Sequence, residues 1–473
     1  MRGKYEQISL WYTYKAMEDA FENDQPELFK LLDEHIDWGE IIPDSFYYAF
    51  YRRFGRNRAY ELESFLRALF LQRVFHYVED SQLLNTLRFS REMRRFCRFK
   101  KVPDASKLTR FKQDFCAYIR LVFERLVELT EPICREMDAA LADMLIFDTT
   151  GIESYVAENN PKYMTLKGKQ AKAYEKSHPG FQAEAGSFLP DVATSNPAVK
   201  HIYINGHFCY AQKAVIVTNG LGIMRHLELL DEDFRVKHPE VPREKRTKSP
   251  EIDKEIGDST ALKPVLLDFR ALHPALRYGT FSADAAFDSF DNLSFLRKDC
   301  QFKRVVIPFN PRNAPLTPPH FNEHGTPLCP LDDKPFVLKG FTGGAHRSPR
   351  LKFVCPGAQP QGTAMVNCCP PPCTKSRYGR CVYVNPDKNL RLYPGISRDD
   401  PAFAAIYTQR TAVERSISSL KETLCLQARK TSNVLTTKTD LFLAGIVQLL
   451  CVLLAGKLHK PSLARRPRLL LAA

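Results

Sequence analysis

The chain opens without a long apolar core or a small-residue cleavage site: its start is MRGKYEQISLWYTYKAMEDAF, which argues against a secretory leader. Long apolar runs are scarce elsewhere. The one membrane candidate, LFLAGIVQLLCVLLAG at 441–456, is short for a span and is interrupted by Gln448. A buried helix behind the core, with no membrane partner, is the expectation. Clean Cys-x2-Cys pairs are also missing. The 13 cysteines are odd in number and unevenly spaced, which favours free thiols or a metal site over disulfides. Acidic residues are in deficit, 54 against 68 Lys and Arg, so the formal charge is +14. That balance favours a polyanionic partner, without excluding a basic enzyme that has none. With 473 residues, 44% of them hydrophobic, the chain has material for two to four domains.

Residues 1–140 read as a helical, basic domain. In NRAYELESFLRALFLQRVFHYV apolar residues recur at steps of three and four. From Arg88 to Lys112 there are ten Lys or Arg against two acidic residues. Arg94, Arg95 and Arg98 fall at helical spacing, and Lys100 and Lys101 follow. VPDASKLTRFKQDF then reads as a turn and a fresh helix, capped by Asp104 or Ser106. Two short basic helices joined by a turn suit docking on a phosphate backbone. Arg94, Arg95, Arg98, Lys100 and Lys101 are therefore candidate DNA contacts, with a solvated basic face as the competing reading.

Residues 141–310 change to an α/β pattern. In LADMLIFDTTGIESY, Met144 to Phe147 form a short apolar strand ending at Asp148. Residues 156–200 are polar and read as a long loop or small insertion. Tyr210 and Lys213 on the next strand are surface positions or DNA backbone contacts. In YGTFSADAAFDSFDNLSFLRKD, Asp284 directly follows a strand-like Phe281–Ala283, and Asp288 is placed to cap a helix from Ser289. FKRVVIPFNPR reads as a strand over 302–309.

Residues 311–400 break the pattern with frequent proline and six cysteines. Cys369 and Cys373 make a Cys-x3-Cys, and Cys329 and Cys355 would complete a tetrahedral zinc set, with His324 and His346 in reserve. Free cysteines in an irregular insertion are the alternative. RYGRCVYVNPDKNLRLYP reads as a hairpin turned at 385–389.

No proline or glycine interrupts Ile406 to Ala428, which is expected to be one helix. Tyr407, Arg410, Glu414 and Lys421 then lie within an arc of about 60°. Ile406, Val413, Ile417, Leu420 and Leu424 form a neighbouring apolar stripe. A solvated salt-bridged face is the bland reading of the polar one. Residues 401–456 are expected to complete the core, and 457–473 to be a basic tail.

Two strand-end aspartates and a helical glutamate are what two-metal phosphodiester chemistry requires, although more than a hundred residues separate each from the next. Here the chain resembles the bacterial insertion-sequence transposases of the DDE type. FDTTG matches the family's first aspartate at Asp148, and FSADAAFDS its second at Asp284. YTQRTAVERSISSLK carries the family's tyrosine-x2-arginine-x3-glutamate-x6-lysine signature at Tyr407, Arg410, Glu414 and Lys421. The resemblance implies an α/β, ribonuclease-H-like catalytic core behind a helical N-terminal domain, with a cysteine- and proline-rich insertion. It implies that Asp148, Asp284 and Glu414 bind two Mg2+ (or Mn2+) ions, and that Tyr407, Arg410 and Lys421 contact DNA. The implied reaction cuts double-stranded DNA at inverted-repeat element ends and joins the freed 3′-hydroxyl to target DNA. The implied assembly is a homodimer or larger synaptic complex in the bacterial cytoplasm, at the nucleoid. A catalytically silent DNA-binding derivative and a nuclease that cuts without joining are the alternatives.

Overall fold

The computed structural model describes residues 10, 11, 13–15, 17, 26–51, 58–184, 186–204, 206–241, 256–312, 320–344, 347–361, 364–367, 369, 372–377, 379–427 and 429–465. The expected zinc reserve His346 and most of the basic tail lie outside them. The chain divides into two units. One is helical: residues 1–133, 153–157 and 418–473. The other, residues 134–152 and 158–417, carries the sheet.

In the helical unit, Leu62–Val74, Asp80–Phe89, Arg91–Phe96, Ala105–Asp114 and Cys116–Met137 are the main N-terminal helices. Phe46, Phe50, Phe65 and Phe111 bury a shared aromatic core, with Phe65 stacked on Phe111 at 4.6 Å. The apolar helix expected at 441–456 begins seven residues earlier and runs Val434–Lys457. Its start is set by Asn433, whose side chain accepts the Thr436 N–H at 3.0 Å. By length and composition this helix is apolar enough to cross a membrane, yet most of it is buried in the protein. It groups with the N-terminal helices, because it is apolar around its whole circumference and needs cover on every side.

One ionic cluster runs through this unit. The Asp440 carboxylate, 1% exposed, meets Arg73, Arg429 at 3.0 Å and Lys112 at 3.5 Å. Asp80 takes Lys112 at 2.9 Å and Arg429 at 2.7 Å. Burial alone would push the Asp440 carboxyl up, but Arg429, Lys112 and Arg73 together hold it down at about 2.

The sheet unit is built on strands β1 (Met144–Glu153), β2 (Val192–Ala193), β3 (Asn196–Ile204), β4 (His207–Thr218), β5 (Met224–Leu229), β6 (Thr280–Ser282) and β7 (Arg304–Val306). Their order is β2-β3-β4-β1-β6-β7, with β5 pairing β4. β4–β5 is antiparallel, while β1–β6 and β6–β7 are parallel. The parallel crossover from β1 to β6 requires intervening chain, which includes the helix Asp258–Leu272. On one face Leu145, Phe147, Val215, Val217, Phe281, Ala283 and Val305 enter the main core with that helix. The 156–200 stretch, read as a loop, holds a helix Pro161–Ser177; Asn160 caps it and Pro161 is its first residue.

The insertion forms its own small sheet from β8 (Val337–Gly344), β9 (Arg347–Val354) and β12 (Cys381–Val384), ordered β12-β9-β8. A hairpin of β10 (Ala358–Gln361) and β11 (Ala364–Asn367) stands beside it in sequence. The hairpin expected at 377–394 does not form among the described residues. β12 pairs backwards with β9 instead, Cys381 opposite Val354.

Candidate active site

Strand register brings the two aspartates together. In the β1–β6 pair Ile146 lies opposite Ser282, and in β6–β7 Ser282 lies opposite Val306. Asp148 and Asp284 each come two residues later. Side chains alternate along a strand, so both share the face of Ile146, Ser282 and Val306, opposite the main core. Val306 is covered on that face by Ile396 and Phe403, with Ile406 and Tyr407 packed alongside. The helix bearing the signature therefore lies on the same side of the sheet as the aspartates.

Two expectations about these elements change. β1 does not stop at Asp148 but continues to Glu153, so Asp148 is mid-strand, with its Oδ1 accepting the Thr149 N–H at 2.8 Å. The uninterrupted helix expected over 406–428 is a jointed run. It comprises Pro401–Tyr407, a 3-10 turn Thr408–Arg410, Thr411–Ser418 and a π turn Ser419–Thr423. It ends before Cys425, whose backbone is left-handed at φ 59. The apolar stripe holds, with Val413, Leu420 and Leu424 buried.

Arg410 ties the site together. Its Nη2 donates to Glu414 Oε1 at 2.6 Å, and its Nη1 lies 3.8 Å from Asp148 Oδ2. Its guanidinium sits 5.6 Å from the Tyr407 ring centre, and its Nε–H is buried without an acceptor. Asp284 accepts the Ala286 N–H at 2.8 Å and caps the turn Ala285–Phe287. Burial raises the Asp148 carboxyl to about 6; the Thr149 N–H and Arg410 oppose the rise, and the charges of Asp284 and Glu414 add to it. Three carboxylates thus act on one another across one site. They do not all lie within single-ion distance of one another, and a guanidinium stands between two of them. This donor set suits hard divalent cations.

The glutamate's helix is fixed from below. Ser416 Oγ donates to the Gly222 carbonyl at 2.5 Å, in the turn between β4 and β5. Gly222 has φ +78, and a Cβ there would come 3.0 Å from Ser416 Oγ and 3.2 Å from the Ala412 carbonyl.

Beside Asp284, Asp288 is fully buried and does not cap the following helix; Ser289 does. Asp288 instead takes Arg391 at 3.0 Å, Arg398 at 3.3 Å and the Asn310 N–H at 2.8 Å. Sequence reasoning missed this trio because its arginines lie 103 and 110 residues away. Tyr210 and Lys213 are not surface contacts. Tyr210 is buried, with its hydroxyl on the Pro190 carbonyl, and Lys213 pairs with Asp258.

Lys421, the fourth signature residue, is half-buried on the π turn and belongs to the helical unit. In that unit Arg95, Arg98, Lys100 and Lys101 are exposed around the turn between Arg91–Phe96 and Ala105–Asp114. Arg94 is half-buried and donates to the Arg88 carbonyl at 3.2 Å, while Arg98 pairs with Glu63 at 2.8 Å. Asp104 caps the second helix through the Lys107 N–H at 3.1 Å. In the insertion, Cys329 and Cys355 are buried, Cys369 is half-buried and Cys373 is exposed.

Residues 16–114 match the family model of a transposase domain, DUF772. The chain is also similar to a piggyBac transposase solved by cryo-EM as a synaptic complex with hairpin DNA. That similarity has 11% identity and a TM-score of 0.38, over 94% of this chain and 78% of that one, too loose to carry an argument about fold or function. No curated protein matches the sequence. The domain match, spanning the basic helices, supports a transposase.

Proposed function

We propose that the chain is a DDE transposase that cleaves DNA at the inverted-repeat ends of its element and joins the 3′-hydroxyl to target DNA. The observation that carries this is that Asp148 and Glu414 share Arg410, with Asp284 near enough for its charge to act on Asp148, all within one unit. The strand order β5-β4-β1-β6-β7, antiparallel at β4–β5 and parallel at β1–β6–β7, supports a ribonuclease-H-like core. Asp148, Asp284 and Glu414 would hold two Mg2+ or Mn2+ ions. Bound there, such ions activate the attacking oxygen and stabilise the leaving one. Arg410, whose side chain is 20% exposed beside Asp148 and Glu414, takes a phosphate oxygen near the cut. Tyr407 orients the DNA end, and Lys421 supplies a further phosphate contact. Arg94, Arg95, Arg98, Lys100 and Lys101 hold the flanking duplex, and the working form is a synaptic homodimer or larger complex in the bacterial cytoplasm.

The test uses the purified chain, Mg2+ and labelled DNA from the inverted repeats flanking its gene. Wild type is expected to nick at the repeat and join the labelled end to a target plasmid. Glu414→Gln should bind the same DNA with cleavage reduced at least a hundredfold, roughly 3 kcal/mol of lost transition-state stabilisation. Cleavage without joining would make the protein a nuclease, and binding without cleavage a silent derivative. Unchanged cleavage by Glu414→Gln would remove that residue from the site.

A further inference from the structure

The insertion has little to hold it together. Its core is seven buried residues, Cys329, Phe336, Leu351, Phe353, Cys355, Val384 and Leu392. A core that small ordinarily needs a staple. Two of the seven are cysteines, and the thiols collect at the ends of its strands. Cys355 follows β9 directly, its N–H donating to the Arg380 carbonyl at 2.9 Å. Cys369 follows the β10–β11 hairpin, with its N–H on Asn367 Oδ1 at 3.2 Å. Cys329 anchors a tight turn before β8. Its N–H donates to the Lys334 carbonyl at 2.8 Å, and its carbonyl accepts the Asp333 N–H at 2.9 Å.

We propose that Cys329, Cys355, Cys369 and Cys373 hold one structural zinc ion. The sulfurs of Cys355 and Cys369 are 4.0 Å apart, twice a disulfide bond length. A tetrahedral site with Zn–S of about 2.3 Å places its sulfurs roughly 3.8 Å apart, so this pair already has the spacing of two ligands. Backbone crowds both sulfurs in a way only glycine allows. A Cβ at Gly357 would lie 2.2 Å from Cys369 Sγ. One at Gly379, where φ is +65, would lie 2.7 Å from Cys355 Cβ. Cys329 and Cys355 are buried in the same small core, Cys369 packs against it, and Cys373 follows Cys369 by four residues. Among the described residues no third sulfur lies at ligand distance from both members of the pair, so Cys329 and Cys373 would have to close on a bound ion.

The test is zinc content of the full-length protein purified under reducing conditions without added metal. One equivalent is expected; less than about half overturns the proposal, as does a Cys355–Cys369 disulfide found by peptide mapping. In the wild type, alkylation should spare these four cysteines until a chelator is added, while half-buried Cys381 is unaffected by the chelator. Protection that ignores the chelator also refutes the site. Cys369→Ser should lose the zinc and Cys381→Ser should keep it. If Cys369→Ser fails to fold, exchange of the wild type with Co2+ decides, by the presence or absence of tetrahedral thiolate absorption.

Discussion

Asp148→Asn should make the protein more stable while abolishing its chemistry. In the metal-free fold the Asp148 carboxyl is raised from 3.8 to about 6, chiefly by burial and by the opposing charges of Asp284 and Glu414. A raised carboxyl means the fold prefers the protonated form. Its contribution to stability is therefore complete below the unfolded value near 4 and is lost as pH rises through 6. About two units correspond to roughly 3 kcal/mol at pH 8. Some of that is recovered by relaxation at a side chain that is 19% exposed, so about 1–3 kcal/mol is the working expectation. Asparagine has nearly the same shape and no charge to bury. With a chelator present at pH 8, Asp148→Asn should melt about 2–5 °C higher than wild type. At pH 4 the two should coincide, because wild-type Asp148 is then neutral. Differential scanning calorimetry at the two pH values checks this. A variant no more stable than wild type at pH 8, or equally favoured at both, would refute the reading of Asp148 as a strained carboxylate awaiting a cation.

Arg410→Met should tighten Mn2+ binding in the absence of DNA by about five- to tenfold, because a competing cation leaves Asp148 and Glu414. Calorimetric titration reads this, and unchanged or weaker binding would show that the guanidinium does not compete for the ion's place. Asp440→Ala should cost about 3–5 kcal/mol in urea unfolding at pH 7, since it leaves Arg73, Arg429 and Lys112 buried with only Asp80. With its carboxyl held at about 2, the wild-type contribution is present above pH 4 and is lost as pH falls toward 2. Asp288→Ala should destabilise by a similar amount, about 3–5 kcal/mol, and lower cleavage more than DNA binding, because Asp284 sits on the turn that Asp288 anchors. Full cleavage at wild-type rate would show that this anchor is dispensable.

The candidate site was legible in the sequence because its chemistry sits in short local patterns. An aspartate after an apolar strand keeps its meaning whatever surrounds it, and so does a helix with four polar residues in one arc. Helix starts were legible only where a cap was weighed. Asp104 was, whereas Asn433 and the Asn160-Pro161 pair were passed over, which shortened one helix and hid another. What depends on distant partners left no local trace. Asp288 reads as a cap until Arg391 and Arg398 fold against it. Tyr210 and Lys213 read as surface until Pro190 and Asp258 receive them. The insertion was opaque for another reason. Three of its five strands are only four residues long, and its register follows from pairing β9 with β12 rather than from any alternation within either.

Gly222 and Asp288 together explain how the candidate site's glutamate can follow Asp284 by 130 positions without losing its place. The helix of Glu414 is located by Ser416 and Ala412 bearing on the β4–β5 turn, and the chain leading back to it is moored at Arg391 and Arg398. The small sheet of β8, β9 and β12 is spliced in between Asp288 and those moorings. A stretch fastened at both of its ends is a tolerant place for a lineage to graft a new module, and here the graft is rich in cysteine.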